Sequence, residues 1–262
     1  MHQDLQQSFS LEGRVAVITG GGSGIGQASA AVLAEAGANV VLADRDAAGM
    51  ADTAALVAAR SRAALACRLD VASREAVDGL AETAIREFGR VDVWVNCAAI
   101  VIHKPILEVT EADVDSQFEV NVKGVYWGCV AAARAMGPGG GGSIVNFSST
   151  GADAPSPGIS VYSMTKAAVN ALTRACALEW GPAKIRVNAI GPGYTFTPMT
   201  RAAKEADPQR REDMNRATTR NLPLGFHAEA RDQALAVLYL ASDASRFVTG
   251  QVIRPNGGAF MI

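Results

Sequence analysis

The sequence predicts a single α/β domain in which a doubly wound parallel sheet of about seven strands carries helices on both faces. Short, nearly continuous apolar runs rich in Val and Ile recur along the chain, as expected for strands that are covered on both sides. Helix-like stretches separate these runs, and strands that alternate with helices favour a parallel sheet. With 262 residues, 49% of them hydrophobic, the chain is long enough to bury one such core.

The predicted elements follow one another in a regular order. Strands are predicted at residues 14–19, 39–44, 63–70, 91–96, 143–148 and 185–190, with a last strand inside TGQVIRPNGG. Helices are predicted at residues 24–36, 47–59, 73–88, 111–136 (as a pair), 161–180 and 230–241. We expect residues 1–262 to form one domain, with residues 1–10 as a tail and the Gly-rich stretch 137–142 as a flexible turn.

A polar segment after the sixth strand is predicted to cover the substrate. Basic and acidic side chains are interleaved from residue 197 to residue 221, which is typical of a solvated helical insertion. Loops that cover ligands in α/β folds lie beyond the carboxyl ends of the strands. We therefore expect a substrate lid over residues 195–225.

Composition argues against several classes of partner. The formal net charge is −2, so the sequence predicts no basic surface for nucleic acid or for anionic lipid. The four cysteines are widely spaced without a C-x-x-C pair, and the three histidines lack ligand spacing, so we expect no metal site. The amino terminus has no apolar core segment, and no stretch is uniform enough to span a bilayer. These features predict a cytoplasmic protein.

A glycine-rich loop at residues 19–28, TGGGSGIGQA, joins the first strand to the first long helix. Glycines in this position permit a sharp turn and bring backbone N–H groups and a helix N-terminus against a phosphate. The spacing is G-x-x-x-G-x-G, which is neither the usual G-x-G-x-x-G nor a P-loop. A plain glycine-rich turn is the alternative, but the location after strand one favours dinucleotide binding. The expected cofactor-binding residues in the loop are Gly20, Ser23, Gly24, Ile25 and Gly26.

Asp44 closes the second strand, eighteen residues after Gly26. An acid at this point can accept hydrogen bonds from the adenosine ribose of NAD, and it would repel the extra phosphate of NADP. Arg45 follows directly and could bind that phosphate, so NADP stays open as the second choice. Asp44 could also be an ordinary turn residue before Asp46, which suits a helix N-cap.

Tyr162 and Lys166 stand four residues apart at the start of the helix predicted at 161–180. Residues four apart are neighbours on a helix surface, so the two side chains form either a proton-transfer pair or an unremarkable exposed pair. Ser149 ends the fifth strand thirteen residues before Tyr162, and Asn121 lies within the long helical stretch. The presence of Ser149 and Asn121 in the same sequence favours the catalytic interpretation.

Together, TGGGSGIG, NCAA at 96–99, NVKG around Asn121, the Ser pair at 148–149, YSMTK and IGPGYTFT at 190–197 resemble the short-chain dehydrogenase/reductase family. The resemblance extends from about Leu11 to the end of the chain. It implies a Rossmann-like fold and hydride transfer between a nicotinamide cofactor and an alcohol or ketone.

The resemblance also assigns catalytic roles. Tyr162 would be the general acid/base, its pKa lowered from about 10 by the positive charges of Lys166 and the nicotinamide ring. Ser149 would hold the substrate oxygen, and Asn121 would help to hold a water that connects Lys166 to solvent. A strand-ending hydroxyl for Ser149 and a capping or core amide for Asn121 are the structural alternatives.

Further cofactor contacts follow from the matching motifs. Asp70 and Val71 resemble residues that meet the adenine, and Asn96 and Ala98 resemble residues that line the adenosine ribose. The stretch with Pro192, Gly193, Thr195 and Thr197 resembles the one that receives the nicotinamide carboxamide. Tyr162 and Lys166 are expected to contact the cofactor as well. The two threonines could instead cap the next helix.

The chain departs from the family pattern at two places. Asn96-Cys97-Ala98-Ala99 stands where Asn-Asn-Ala-Gly is common, and RPNGG replaces the usual residues before the last glycines. Arg254 and Asn256 in the second stretch could therefore serve a subunit contact. Cys97 is expected to be a buried structural thiol, with a reactive role as the alternative.

The substrate pocket is expected between residues 100–104, residues 150–160 and the lid. His103 could bond a polar substrate, or it could have no function. IGPGYTFTPMT is similar to polyol and sugar dehydrogenases of the family, so the first hypothesis is an NAD-dependent dehydrogenase of a secondary alcohol, such as a sugar or polyol. An NADPH-dependent carbonyl reductase and a non-catalytic dinucleotide-binding regulator are the alternatives.

The family resemblance also suggests a homotetramer. Its contacts would come from the helices at 111–136 and 161–180. Apolar side chains on them that could lie between subunits or in the core are Trp127, Cys129, Cys176 and Trp180.

Overall fold

A computed structural model describes residues 2–202 and 222–261 of the chain. Seven strands form one sheet in the order β3-β2-β1-β4-β5-β6-β9, and all neighbouring pairs are parallel. The predicted fold class is thereby confirmed. The strands are β1 Val15–Thr19, β2 Asn39–Asp44, β3 Ala64–Arg68, β4 Val93–Asn96, β5 Gly142–Phe147, β6 Ile185–Ile190 and β9 Val252–Ile253. A separate pair, β7 Thr195–Phe196 and β8 Ala228–Glu229, is also parallel.

The described helices lie close to the predicted ranges. They are α1 His2–Phe9, α2 Gly24–Glu35, α3 Ala47–Ala58, α4 Arg74–Phe88, α5 Glu111–Phe118, α6 Val125–Met136, α7 Ser160–Trp180, α8 Pro198–Ala202 and α9 Ala230–Ala241. A π-helical turn, Glu119–Gly124, joins α5 to α6. The first residues form α1 where the sequence suggested a tail. None of the helices in the described ranges is long and apolar enough to cross a membrane.

The core consists of two apolar layers, one on each face of the sheet. Val17 and Trp94 face a layer that includes Cys129 of α6. The next residues along the same strands, Ile18 and Val95, face the opposite layer. Side chains alternate between the faces of a strand, so a strand covered on both sides needs apolar residues at every position. This explains the continuous apolar runs in the sequence.

The order of the strands places the ligand crevice. From β1 the chain moves outward through β2 and β3, and it then returns to place β4 on the other side of β1. In open α/β sheets such a reversal leaves a crevice at the carboxyl ends of the two strands. Thr19 at the end of β1 is in register with Ala43 on one side and Asn96 on the other. The glycine loop, Asp44 and the segment after Asn96 therefore meet at this edge.

Several side chains that the sequence offered for subunit contacts lie inside the chain. Cys129 is fully buried and Cys176 is 6% exposed, and the two thiols contact each other between α6 and α7. Asn256 is buried and donates to the Phe260 carbonyl at 2.7 Å. The guanidinium of Arg254 pairs with Asp153 at 2.8 Å. These contacts stabilise the single chain, so they do not argue for an interface.

The predicted lid, residues 195–225, falls largely on residues 203–221, which lie outside the described residues. The segments on either side are described. Thr195 of β7 is in register with Ala228 of β8, so the described chain before this segment pairs with the described chain after it.

Candidate active site

The glycine loop forms a cradle that side chains would fill. Gly20 has φ +71°, and a Cβ on it would lie 2.7 Å from the Ala98 nitrogen. A Cβ on Gly26 would lie 2.0 Å from the Gly20 carbonyl oxygen. Ser23, the N-cap residue of α2, makes no side-chain cap, so the first N–H groups of α2 remain available to an anion. This geometry fits the pyrophosphate of a dinucleotide.

Asp44 is held at the rim of this cradle. Its carboxylate accepts hydrogen bonds from the Gly22 nitrogen at 2.9 Å and from the Asp46 nitrogen at 3.0 Å. Arg45 is exposed and lies 3.4 Å from the carboxylate of Asp70. The acid is therefore fixed by the backbone, whereas within the described ranges the neighbouring guanidinium has a single partner, in a long, solvent-exposed ion pair.

One cavity of about 1040 Å³ extends from the cradle to Tyr162. Its volume is at the upper end of the range for ligand sites, which suits an extended ligand together with a substrate. Most of the residues predicted to bind cofactor or substrate line it: Gly20, Ser23, Gly24, Ile25, Gly26, Asp44, Asp70, Val71, Ala98, Ser149, Tyr162, Lys166, Pro192, Gly193, Thr195 and Thr197. Asn96 and Asn121 are the two that the structure places behind the wall.

The side chain of Asn96 points into the core instead of the cavity. It is 2% exposed, donates to Asn146 Oδ1 at 2.9 Å and accepts from the indole nitrogen of Trp94 at 2.8 Å. A Cβ on Gly128 of α6 would lie 2.1 Å from the Asn96 Oδ1, so the amide is packed tightly against that helix. The side chain of Asn96 therefore faces the α6 side of the sheet, and contact of this residue with the ribose stays a prediction that its backbone would have to fulfil.

Asn121 lies in the π-helical turn and is fully buried. Its amide accepts from the Ile100 nitrogen at 2.9 Å and donates to the Ile100 carbonyl at 2.8 Å. The same amide nitrogen donates to the Thr165 hydroxyl at 3.2 Å. Asn121 thus joins the loop after β4 to the helix that carries Tyr162 and Lys166, and its bridging water remains a prediction.

Ser149, Tyr162 and Lys166 converge on one wall of the cavity. Ser149 follows β5 and accepts a hydrogen bond from the Gly151 nitrogen at 3.0 Å. Its hydroxyl acts to lower the pKa of the Tyr162 phenol. Lys166, one turn further along α7, donates Nζ–H to the Phe147 carbonyl at 2.8 Å. The exposed-pair alternative is thus wrong for Lys166, which is 1% exposed.

Burial sets the protonation of this group. It raises the pKa of Tyr162 above 10.0, and the hydrogen bond with Ser149 acts in the opposite direction. Burial also lowers the pKa of Lys166 from 10.5 to about 8. The sequence-based expectation of a lowered Tyr162 pKa relied on Lys166 and the nicotinamide together. In the protein alone burial has the larger effect, so Tyr162 carries its proton at neutral pH.

Cys97 lines the cavity. Burial raises the pKa of its thiol from 9.0 to about 12, so the thiol is protonated at neutral pH. Only a thiolate is a strong nucleophile, so this favours the structural interpretation of Cys97. Among the described residues, no group of three His, Cys, Asp or Glu side chains is placed to hold a metal ion.

Thr195 and Thr197 differ in their local bonding. Thr197 accepts from the Thr200 nitrogen at 3.4 Å, which is the helix-capping role that the sequence left open. Thr195 is 3% exposed and donates to the Gly193 carbonyl at 3.1 Å. Both still border the cavity.

Sequence reasoning missed two parts of the site. Gln233 of α9 is fully buried and donates to the Thr195 hydroxyl at 3.2 Å. A polar residue within the apolar helix QALAVLYLA was the available signal. The ring of His227 packs against Tyr194, with centroids 4.6 Å apart, and both line the cavity. They come from segments on opposite sides of residues 203–221, so their contact leaves no local pattern.

Comparison with known proteins agrees with this geometry. The family model described as enoyl-(acyl carrier protein) reductase matches residues 20–259. An uncharacterised oxidoreductase of Methylorubrum extorquens is 42% identical and covers 95% of this chain and 98% of its own. Bovine L-xylulose reductase is 39% identical, and the match covers 95% of this chain and 97% of the relative. The 3β-hydroxysteroid dehydrogenase 1 of Eggerthella lenta is 37% identical, and the match covers 95% of this chain and 94% of the relative.

Solved structures show the same fold. A candidate short-chain alcohol dehydrogenase of Sinorhizobium meliloti has a TM-score of 0.91 at 36% identity, covering 96% of this chain and 98% of its own. A candidate 2-deoxy-D-gluconate 3-dehydrogenase of Agrobacterium tumefaciens, solved with bound NADP, has a TM-score of 0.86 at 34% identity, covering 96% and 98%.

Fold and cavity together define a nicotinamide-dinucleotide-binding α/β enzyme. The chain belongs to the short-chain dehydrogenase/reductase family. It is an NAD(P)-dependent oxidoreductase that acts on CH–OH groups. The non-catalytic regulator is therefore set aside.

Proposed function

We propose that this protein interconverts a secondary alcohol and a ketone with NAD(H), using Ser149, Tyr162 and Lys166. The observation that carries the proposal is that these three side chains line the same cavity as the glycine cradle. A bound nicotinamide would accept or supply the hydride. The side chains of the protein donate and accept the protons.

Tyr162 is the proton donor and acceptor in this proposal. In reduction, its phenol gives a proton to the carbonyl oxygen, and the high pKa in the protein alone keeps that proton in place until substrate arrives. In oxidation, the phenolate takes the hydroxyl proton. Ser149, which lines the same cavity, holds the substrate oxygen beside the phenol. Together these groups place donor and acceptor within hydrogen-bond reach.

Lys166 and Asn121 support Tyr162 from behind. The Nζ atom of Lys166 lies 5.5 Å from the centre of the Tyr162 ring, so its positive charge stabilises a phenolate. Asn121 connects the loop after β4 to α7 through Ile100 and Thr165. We assign it to positioning, and to holding the water through which Lys166 exchanges protons.

The cofactor is proposed to be NAD. The fixed carboxylate of Asp44 at the cradle rim supports this choice, because it would accept from a ribose diol and repel a phosphate. NADP is the second candidate. Arg45 beside Asp44 and the NADP bound in the Agrobacterium structure favour it.

The substrate is proposed to be a sugar or polyol, in line with the L-xylulose reductase relative. A bulky apolar alcohol, such as a hydroxysteroid, is the second candidate, supported by the Eggerthella relative and by part of the cavity wall. The cavity has an apolar part to its lining, formed by Ile100, Val101, Ile159 and Leu222, and His103 is a polar residue that also lines it.

We further propose a homotetramer in the cytoplasm. Helix α7 exposes Met164 at 58% and Leu178 at 82%, which supports contact between copies along this helix. All four cysteines are free thiols, which supports a reducing compartment. Sedimentation of the purified protein as a monomer would contradict the tetramer.

A panel of sugars, polyols, hydroxy acids and hydroxysteroids, assayed with NAD and with NADP, tests the proposed function. We expect turnover with NAD on at least one secondary alcohol. Turnover with NADP alone would favour the carbonyl reductase alternative. Binding of both dinucleotides without turnover of any member or of the matching ketones would contradict the substrate class.

A further inference from the structure

Gln233 is a fully buried polar residue directly behind Thr195, which lines the cavity. It lies in α9, where the neighbouring Ala234, Val237 and Leu240 are apolar and buried. Its Nε2 atom donates to the Pro255 carbonyl at 2.9 Å and to the Thr195 hydroxyl at 3.2 Å. Burying an amide is costly unless it makes such bonds, so an apolar residue would be the simpler choice for packing alone.

The orientation of this amide follows from its partners. The Pro255 carbonyl can only accept a hydrogen bond, so the NH2 group of Gln233 must face it, and the same nitrogen reaches Thr195. The Thr195 hydroxyl therefore accepts from Gln233. Its own hydrogen goes to the Gly193 carbonyl at 3.1 Å.

This arrangement determines what Thr195 can offer a ligand. A hydroxyl has one hydrogen and two lone pairs. The hydrogen and one lone pair are engaged inside the protein, and no described residue donates to the second lone pair. Thr195 itself is 3% exposed and borders the cavity. Thr195 thus presents an acceptor.

We propose that Gln233 is a positioning residue that fixes the Thr195 hydroxyl as an acceptor for the NH2 group of the nicotinamide carboxamide. This rests on the proposed function, and on the expectation from the family resemblance that the stretch with Thr195 receives the nicotinamide carboxamide. Pro255, the second partner of Gln233, also accepts from the Gly193 nitrogen at 3.3 Å. The amide therefore holds both the Thr195 hydroxyl and the neighbouring Gly193 loop.

The test compares two ligands that differ only at the nicotinamide end. Dissociation constants of NAD and of ADP-ribose are measured by calorimetric titration for the wild-type protein and for Gln233→Leu. If NADP binds more tightly than NAD, it and its 2′-phospho-ADP-ribose are used instead. We expect the variant to bind the dinucleotide about fivefold more weakly, the effect of one ordinary hydrogen bond. Its affinity for ADP-ribose should stay within about twofold.

Two further variants separate positioning from packing. Gln117→Leu is the matched control, because Gln117 is also a buried glutamine but bonds Ile102 and Asp113. It should leave the ratio of the two affinities unchanged. Thr195→Val alone should weaken dinucleotide binding. Adding Gln233→Leu to it should weaken binding little further, because the two residues act through the same contact.

Equal loss of affinity for both ligands in Gln233→Leu, or no loss for either, would overturn this proposal while leaving the proposed function intact. Additive effects in the double variant would overturn it too. Failure of the wild-type protein to bind either dinucleotide would overturn the proposed function, and this proposal with it.

Discussion

The Nζ atom of Lys166 lies 5.5 Å from the centre of the Tyr162 ring, and it donates its hydrogen bond to the Phe147 carbonyl instead of to the phenol. Both residues come from the first two turns of α7, so the helix fixes their separation. The lysine acts on the tyrosine through charge, and burial controls how much of that charge is present.

Replacing Lys166 tests this burial. The folded protein lowers the pKa of Lys166 from 10.5 to about 8, so between these pH values the unfolded chain binds more protons and folding becomes more favourable as pH rises. Lys166→Met lacks this dependence. Between pH 7 and pH 10 the wild-type protein should gain about 2 kcal/mol of unfolding free energy relative to the variant.

Urea unfolding of both proteins without cofactor measures that difference. If the unfolding free energies of the two proteins changed equally between pH 7 and pH 10, the Lys166 pKa would not be lowered. Burial would then not control the charge on Lys166.

The two directions of the reaction should respond to pH in opposite ways. Burial raises the pKa of Tyr162, so the neutral phenol that reduction needs is present at pH 7 and the phenolate that oxidation needs is scarce. We expect kcat/KM for oxidation to rise between pH 7 and pH 9, by at most about tenfold per unit, while kcat/KM for reduction does not rise. An oxidation profile that stays flat between pH 7 and pH 9 would show that the Tyr162 pKa is not raised.

The glycine cradle predicts a sharp contrast between two Gly→Ala variants. A Cβ on Gly26 would lie 2.0 Å from the Gly20 carbonyl oxygen, so Gly26→Ala should destabilise the fold by about 1–3 kcal/mol and weaken dinucleotide binding at least about tenfold. Gly79→Ala in α4 meets open space and should stabilise the helix by about 0.5–1 kcal/mol. Calorimetric titration and urea unfolding measure both effects. Wild-type affinity in Gly26→Ala would place the dinucleotide elsewhere.

Asp44 should decide between NAD and NADP. Asp44→Ser removes the carboxylate that repels a 2′-phosphate and leaves Arg45 in place, so the ratio of NADPH to NADH affinity should increase about tenfold. Asp46→Asn, which keeps the N-cap of α3, is the control and should leave the ratio unchanged. Fluorescence titration with both reduced cofactors gives the ratio. A ratio that Asp44→Ser does not change would remove the argument for NAD.

Local rules explain what the sequence predicted well. The loop around Gly20 and Gly26 follows a strand and starts a helix, so its backbone contacts depend on neighbouring residues. Ser149 and Tyr162 both line the cavity because residues 148–159 connect the end of β5 directly to the start of α7. Such features are readable from spacing.

Other features depend on the folded chain. Asn96 lines the core because of the face of β4 on which it falls, and Asn121 is held by Ile100 and Thr165 through a π-helical turn that spacing does not reveal. The Tyr162 pKa depends on burial by distant segments. Gln233 was missed because its partner Thr195 lies 38 residues away along the chain.

Tyr162→Phe tests the central claim most directly, with Tyr126→Phe as its control, because Tyr126 is 46% exposed on α6 and away from the cavity wall. The measurement is kcat on the substrate found in the panel, together with the dissociation constant of the cofactor. We expect Tyr162→Phe to lower kcat by about 10²–10⁴-fold and to keep cofactor affinity within about twofold. Tyr126→Phe should change neither kcat nor cofactor affinity. A Tyr162→Phe variant that keeps more than about a tenth of the wild-type kcat would contradict the role of Tyr162 as proton donor and acceptor.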